Sequence, residues 1–129
     1  MQIYYVGDEN KCAEVLDAFE NAGFLVRTFD APDTAQIALE EMAFLKAEMP
    51  SLVLLDATDP GTDLSALRTA IQNMLRVHAF LHVCAVTGMK YGLFHEAMEG
   101  LGMLRPLPLN PTAADAQRLL EKLRSLMPQ

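Results

Sequence analysis

The chain has 129 residues, 51% of them hydrophobic, enough to bury the core of one domain spanning residues 1–129. A net charge of −7 excludes a general nucleic-acid binder, which needs a clustered basic face, and leaves protein partners, metals or small ligands. The opening MQIYYVGDEN has no basic leader, and no run reaches the roughly 18–20 apolar residues that span a bilayer, so no membrane association and a cytoplasmic location are expected.

Short apolar runs alternate with longer helix-periodic segments, the pattern of βα units around a parallel sheet. The first run, IYYV (3–6), is followed by KCAEVLDAFENAG, where Cys12, Val15, Leu16 and Phe19 share a helix face that stops at Gly23. After FLVRTF (24–29) comes a helix expected from an N-cap at Asp33 to Met49, ended by Pro50, with Ile37, Ala38, Met42 and Leu45 on its buried face. LVLL (52–55) leads to a helix starting near Thr62 or Asp63 and burying Leu64, Leu67, Ile71, Met74 and Leu75. LHVCAV (81–86) precedes a short helix over 93–99 ending at Gly100, with Leu93 and Ala97 toward the core. A weak fifth run, Met103–Leu104, is followed after Pro111 by a helix that aligns Ala116, Leu119, Leu120, Leu123 and Met127. No linker or internal repeat interrupts this order.

Ligands of open α/β sheets bind at the carboxyl ends of the strands, so chemistry is expected just after the runs. Gly7-Asp8-Glu9, Asp56 and Thr87-Gly88 stand there. Two carboxylates at one sheet edge repel unless a cation joins them, and hard oxygen ligands suit Mg²⁺; a carboxylate so placed is also a candidate nucleophile. The structural alternatives are plain. Asp56 and Asp59 serve to turn the chain, Asp8 caps a helix, and Thr87 bonds backbone. Cys12 and Cys84 lack metal spacing and read as core thiols of a reduced, intracellular protein, and His78, His82 and His95 as structural or solvated.

The segment LVLLDATDPG (52–61), an apolar strand, an Asp, three loop residues and Pro-Gly, resembles the phosphoacceptor segment of response-regulator receiver (CheY-like) domains. LDAFENAGFLVRTFDAPDTAQIALEEM resembles the family's region from helix 1 to helix 2, with Gly23 and the Ala38-Leu39 pair in place. The resemblance implies a flavodoxin-like (βα)5 three-layer sandwich with a five-stranded parallel sheet, strand order 2-1-3-4-5. It implies Asp56 as phosphoacceptor, and Mg²⁺ held weakly or conditionally by Asp8, Asp56 and the carbonyl of Thr58. Thr87 corresponds to the switch hydroxyl that contacts the phosphoryl group, and Gly88 to the small residue after it.

The sequence also departs from that family. Gly7 stands in place of the first acidic residue of the pair, and Leu104 in place of the strand-5 aromatic. LPLNP (107–111) puts Leu107 at the family's lysine and Pro108 at its cis proline; a shifted register would put Arg105-Pro106 there instead. Arg105 and Lys90 are then the possible replacement cations.

These features describe a stand-alone, partly degenerate receiver in two-component signalling, a binding protein and not an enzyme, with phosphorylation at Asp56 impaired or absent. Its expected partners are a histidine kinase, a phosphotransfer protein or another regulator. The apolar stretch 89–104 suits a homodimer through the face formed by helix 4, strand 5 and helix 5. The alternatives are a fully functional Mg²⁺-dependent phosphoacceptor, and a flavodoxin-like small-ligand binder or enzyme. The last lacks a Gly-rich phosphate loop.

Overall fold

The computed structural model describes residues 1–127; residues 128 and 129, the end of the expected domain, lie outside the described residues. Four apolar runs form parallel strands: β1 (Gln2–Val6), β2 (Leu25–Phe29), β3 (Leu52–Asp56) and β4 (Val83–Val86), in the order β2-β1-β3-β4. Between them lie α1 (Ala13–Asn21), α2 (Pro32–Leu45), α3 (Leu64–Val77), α4 (Tyr91–Ala97) and α5 (Ala113–Leu126), with one 3-10 turn at Glu9–Lys11. The fold is therefore the expected doubly wound α/β arrangement, with β1 and β3 adjacent at its centre.

Strands buried on both faces need two apolar layers, and each central strand supplies both by alternation. Ile3, Tyr5, Leu52, Leu54, Cys84 and Val86 face α1 and α5. Tyr4, Val6, Val53, Leu55, Val83 and Ala85 face α2, α3 and α4. The helix faces expected for α1, α3 and α5 are the buried ones, with Leu64, Leu75 and Met127 only partly covered. Asp63 caps α3 by accepting from the N–H groups of Ser65 and Ala66, and Thr112 and Asp115 form a reciprocal capping box at α5.

Strand 5 differs from expectation. No regular fifth strand forms at Met103–Leu104; residues 104–107 run along the free edge of β4 and make one isolated bridge, Leu107 to Val86. Leu104 N–H bonds Val83 O and Leu107 N–H bonds Ala85 O, so three residues of this segment span two of β4. Pro106 has no N–H to give, and the extra residue is accommodated as a bulge. Leu104 and Leu107 consequently point to the same side, into the α1/α5 core, where a regular strand would send them to opposite faces.

Two helix faces also differ. On α2 the buried residues are Ala35, Ala38 and Leu39, while Ile37 and Leu45 are 61% and 63% exposed. The helix starts at Pro32 and ends at Leu45, with Lys46 left-handed at φ 55°, four residues before the expected stop at Met49. On α4 the core residues are Phe94 and Met98; Leu93 is 58% exposed and Ala97 only partly covered. In both helices a one-residue rotation of the apolar stripe was hidden by apolar residues on either side of it. Leu39→Ala is therefore expected to cost about 2–5 kcal/mol, and Ile37→Ala only about 0.5 kcal/mol, in urea unfolding; equal costs would place the stripe as the sequence suggested.

Candidate functional site

Val6 pairs with Leu55 in the parallel ladder, so the residues that follow, Gly7 and Asp56, arrive side by side at the carboxyl edge. Gly7 adopts φ +133° and bonds Phe29 O through its N–H. A Cβ on Gly7 would lie 2.3 Å from the Asp56 Cβ and 2.9 Å from its Oδ2. The missing first carboxylate is thus more than an omission: the Asp56 side chain fills the space that any side chain at position 7 would need.

Asp56 is held through one oxygen and faces a cation with the other. Its Oδ1 accepts from Thr58 N–H at 3.0 Å and from Thr58 Oγ1 at 2.6 Å, an Asx-type turn that leads the chain out of β3. Its Oδ2 lies 3.9 Å from Lys11 Nζ, with the Asp56 side chain 11% exposed and that of Lys11 48%. The 3-10 turn that carries Lys11 is itself capped by Asp8, whose Oδ1 accepts from Asn10 N–H at 2.9 Å. The Tyr5 hydroxyl donates to Asp8 O at 2.8 Å. Burial first, then Cys12 and the carboxylates of Asp56, Asp8 and Glu9, hold that hydroxyl well above the ordinary phenol range, so it remains a proton donor.

Around Asp56 is an open pocket of about 700 Å³ lined by Gly7, Asp8, Glu9, Asn10, Lys11, Asp30, Asp56 and Asp59. Five carboxylates face one ammonium. Asp59 turns the loop, its Oδ1 accepting from Gly61 N–H at 2.8 Å. Neither expected replacement cation lines this pocket. Lys90 precedes α4 as its exposed cap residue, and the Arg105 guanidinium sits 5.2 Å over the Tyr91 ring. Lys11, which sequence reasoning missed, is the cation present; its one signal was a lysine in the short loop directly after β1.

The donor set does not fit a resident Mg²⁺. Gly7 offers no carboxylate, one oxygen of Asp8 caps a turn, and one oxygen of Asp56 is held by Thr58. Among the described residues no three His, Cys, Asp or Glu side chains are grouped to hold a metal ion.

Thr87 and Gly88 lie at the same sheet edge but open into a different groove. Thr87 is buried, its N–H bonds Leu107 O at 3.0 Å, and its Oγ1 accepts from Met89 N–H at 3.1 Å, the backbone role expected of a strand-end threonine. Leu107 therefore stands beside the end of β4, and the peptide before Pro108 is trans, contrary to the cis expectation. Leu107 and Leu104 are core residues. The groove, about 1110 Å³, lies between α4, residues 103–109 and α5, and Leu107, Met103 and Tyr91 line it with Arg105, Arg118 and Lys122 among its polar residues.

The two cysteines are buried core thiols. Burial, with Asp56 adding to it, pushes Cys12 up to about 12; burial likewise pushes Cys84 up to about 12 against a backbone hydrogen bond that lowers it.

No protein-family model matches this chain, and no curated protein sequence matches it significantly. Solved structures do. A Burkholderia pseudomallei protein described as pilus assembly-related superposes with a TM-score of 0.77 at 15% identity, over 100% of this chain and 92% of that one. A response regulator from Desulfuromonas acetoxidans gives 0.71 at 15%, over 98% of both chains. A CheY-like receiver domain protein from Methanospirillum hungatei gives 0.72 at 16%, over 96% and 94%. The chain has the receiver-domain fold, with its strand order 2-1-3-4 and a reduced fifth strand.

Gly7→Ala is expected to cost about 1–3 kcal/mol in denaturant unfolding, from strain at φ +133° and from the Asp56 contact. In an Asp56→Gly background the contact part disappears and the φ part stays, so the cost shrinks without vanishing; an unchanged cost would mean that the two residues do not share that space. Native protein should also resist thiol reagents at pH 8 and react at Cys12 and Cys84 only on unfolding.

Proposed function

We propose that this chain is a receiver-like signalling module, acting as one domain over residues 1–129, that works by binding proteins and not by catalytic turnover. Asp56 occupies the phosphoacceptor place. The observation that carries the reading is the setting of Asp56: Thr58 holds one oxygen, the other has only the half-exposed Lys11 ammonium 3.9 Å away, and Gly7 supplies no carboxylate for the divalent cation a working acceptor needs.

Phosphoryl transfer rests almost wholly on positioning and on neutralising charge. A phosphoryl group on Asp56 would replace the single negative charge of its carboxylate with close to two, in a pocket already holding Asp8, Glu9, Asp30 and Asp59. Mg²⁺ at Asp8, Asp56 and the Thr58 carbonyl, and a lysine at position 107, would offset that charge; here Gly7 withholds a ligand and Leu107 is core. Lys11 alone remains, half exposed and on the order of 0–1 kcal/mol as an ion pair. Phosphorylation is therefore impaired or absent, and Thr87 and Gly88 shape the groove instead of gripping a phosphoryl group.

Output runs through the groove between α4, residues 103–109 and α5, toward a histidine kinase, phosphotransfer protein or another regulator in the cytoplasm. Among the described residues no helix is long and apolar enough to cross a membrane. A second reading has its own support: the likeness to the pilus assembly-related protein suits a scaffold domain of such a machine, which needs the fold and no phosphoryl chemistry.

The test is incubation with a small phosphodonor and Mg²⁺, read by intact mass beside Asp56→Asn and beside a competent receiver. No adduct is expected on this chain. A Mg²⁺-dependent adduct absent from Asp56→Asn would replace this reading with a working phosphoacceptor.

A further inference from the structure

The groove just described has an apolar floor and a basic rim in a chain of net charge −7. Arg105, Arg118 and Lys122 stand at it against a single carboxylate, Asp115, which is already paired with Arg118. Such a surface selects an apolar partner flanked by acids.

The chain itself carries one. On α2 the residues turned away from the core are Ile37, Phe44 and Leu45, which are 61%, 86% and 63% exposed. Ile37, Glu41, Phe44 and Leu45 are spaced by four, seven and eight, so they share one helix face, and Glu40 borders it. Glu40 and Glu41 are both exposed. A phenylalanine that exposed beside two aliphatic residues is a patch of the kind that marks a protein contact. Its anchor spacing is that of a helix that lies in a groove, with Glu41 among the anchors and Glu40 at their border.

The two surfaces cannot meet within one molecule. α2 packs over β1 and β2 at one edge of the sheet, whereas the groove lies beyond β4 at the other. We propose that the α2 stripe of one copy docks into the groove between α4, residues 103–109 and α5 of a second copy, Glu40 and Glu41 meeting Arg105 and Lys122. The contact is head-to-tail. The first copy keeps its groove free and the second its stripe, so assembly continues past the dimer. This inference rests on the reading of the groove as the output face and names its occupant.

The experiment is light scattering and sedimentation of the full chain over about 10 μM to 1 mM, a range that captures weak self-association. The mass of the native chain should climb with concentration from the 14.2 kDa monomer through and beyond the dimer. Phe44→Glu and the double variant Arg105→Glu/Lys122→Glu alter exposed side chains, so both should fold, as circular dichroism will verify. Each alone should weaken association by about tenfold or more. Mixed together, they should form a 1:1 complex that does not grow, because Phe44→Glu supplies the intact groove and the double variant the intact stripe. A native chain that stays monomeric throughout overturns the proposal. So does a dimer that survives Phe44→Glu, which would mean a symmetric contact through the groove, and so does failure of the mixture to associate. None of these outcomes bears on phosphate incorporation at Asp56, so the two readings fail separately.

Discussion

At the carboxyl edge of this sheet one volume is contested by two residues, and Asp56 holds it because position 7 is glycine. β1 and β3 are neighbours in register, Val6 beside Leu55, so no choice of loop separates the residues that come next. With φ at +133° and its N–H on Phe29 O, Gly7 steers the chain away while the Asp56 Cβ leans over its Cα. From this contact follow the direction of the Asp56 carboxylate, the Thr58 turn that receives one oxygen, and the approach of Lys11 to the other. Restoring an acid at position 7 would not restore a metal pocket, since the backbone is built around the absence of a side chain there.

The second constraint lies at the opposite edge. Pro106 cannot donate to β4, and the bulge it imposes turns Leu104 and Leu107 into the same core layer. A lysine at position 107 would then have to place its charge among Tyr5, Cys84 and Leu119, at a desolvation cost of several kcal/mol. Apolar character at 107 and positive charge at 11 are thus linked: the edge that cannot carry a cation leaves neutralisation of Asp56 to the loop after β1.

The fold was largely legible in the sequence because its signal is redundant. Each central strand is a continuous apolar run, α1, α3 and α5 carry clean stripes at spacings of three and four, and Gly23, Asp63 and Thr112 mark their ends. Legibility failed where apolar residues exceeded what one face can bury. In α2, Ile37, Ala38, Leu39, Met42, Phe44 and Leu45 satisfy more than one rotation, and only packing against β1 and α3 decides that Leu39, and not Ile37 or Leu45, joins Ala38 inside. Of the site, Asp56 and its Thr58 turn follow from local sequence, as does the backbone role of Thr87. Lys11 does not, because its meeting with Asp56 depends on how a single 3-10 turn crosses the sheet edge. The trans peptide before Pro108 and the loss of a regular fifth strand likewise depend on the β4 edge, with no short motif to announce them.

Asp56 and the groove belong to one sheet edge, yet what joins them is main chain. Asp56 pairs with Val86, Ala57 N–H bonds Val86 O at 2.8 Å, and Thr87 N–H bonds Leu107 O at 3.0 Å. The Thr87 hydroxyl accepts from Met89 N–H at 3.1 Å and lines the groove, with no hydrogen bond to Asp56 among the described residues. A charge at Asp56 shifts an equilibrium only if it interacts differently with two arrangements of the groove. Backbone bonds of this kind carry no charge of their own to respond to the carboxylate. On the reading proposed above, binding through the groove needs no prior event at Asp56 and follows the concentration of whatever fills it.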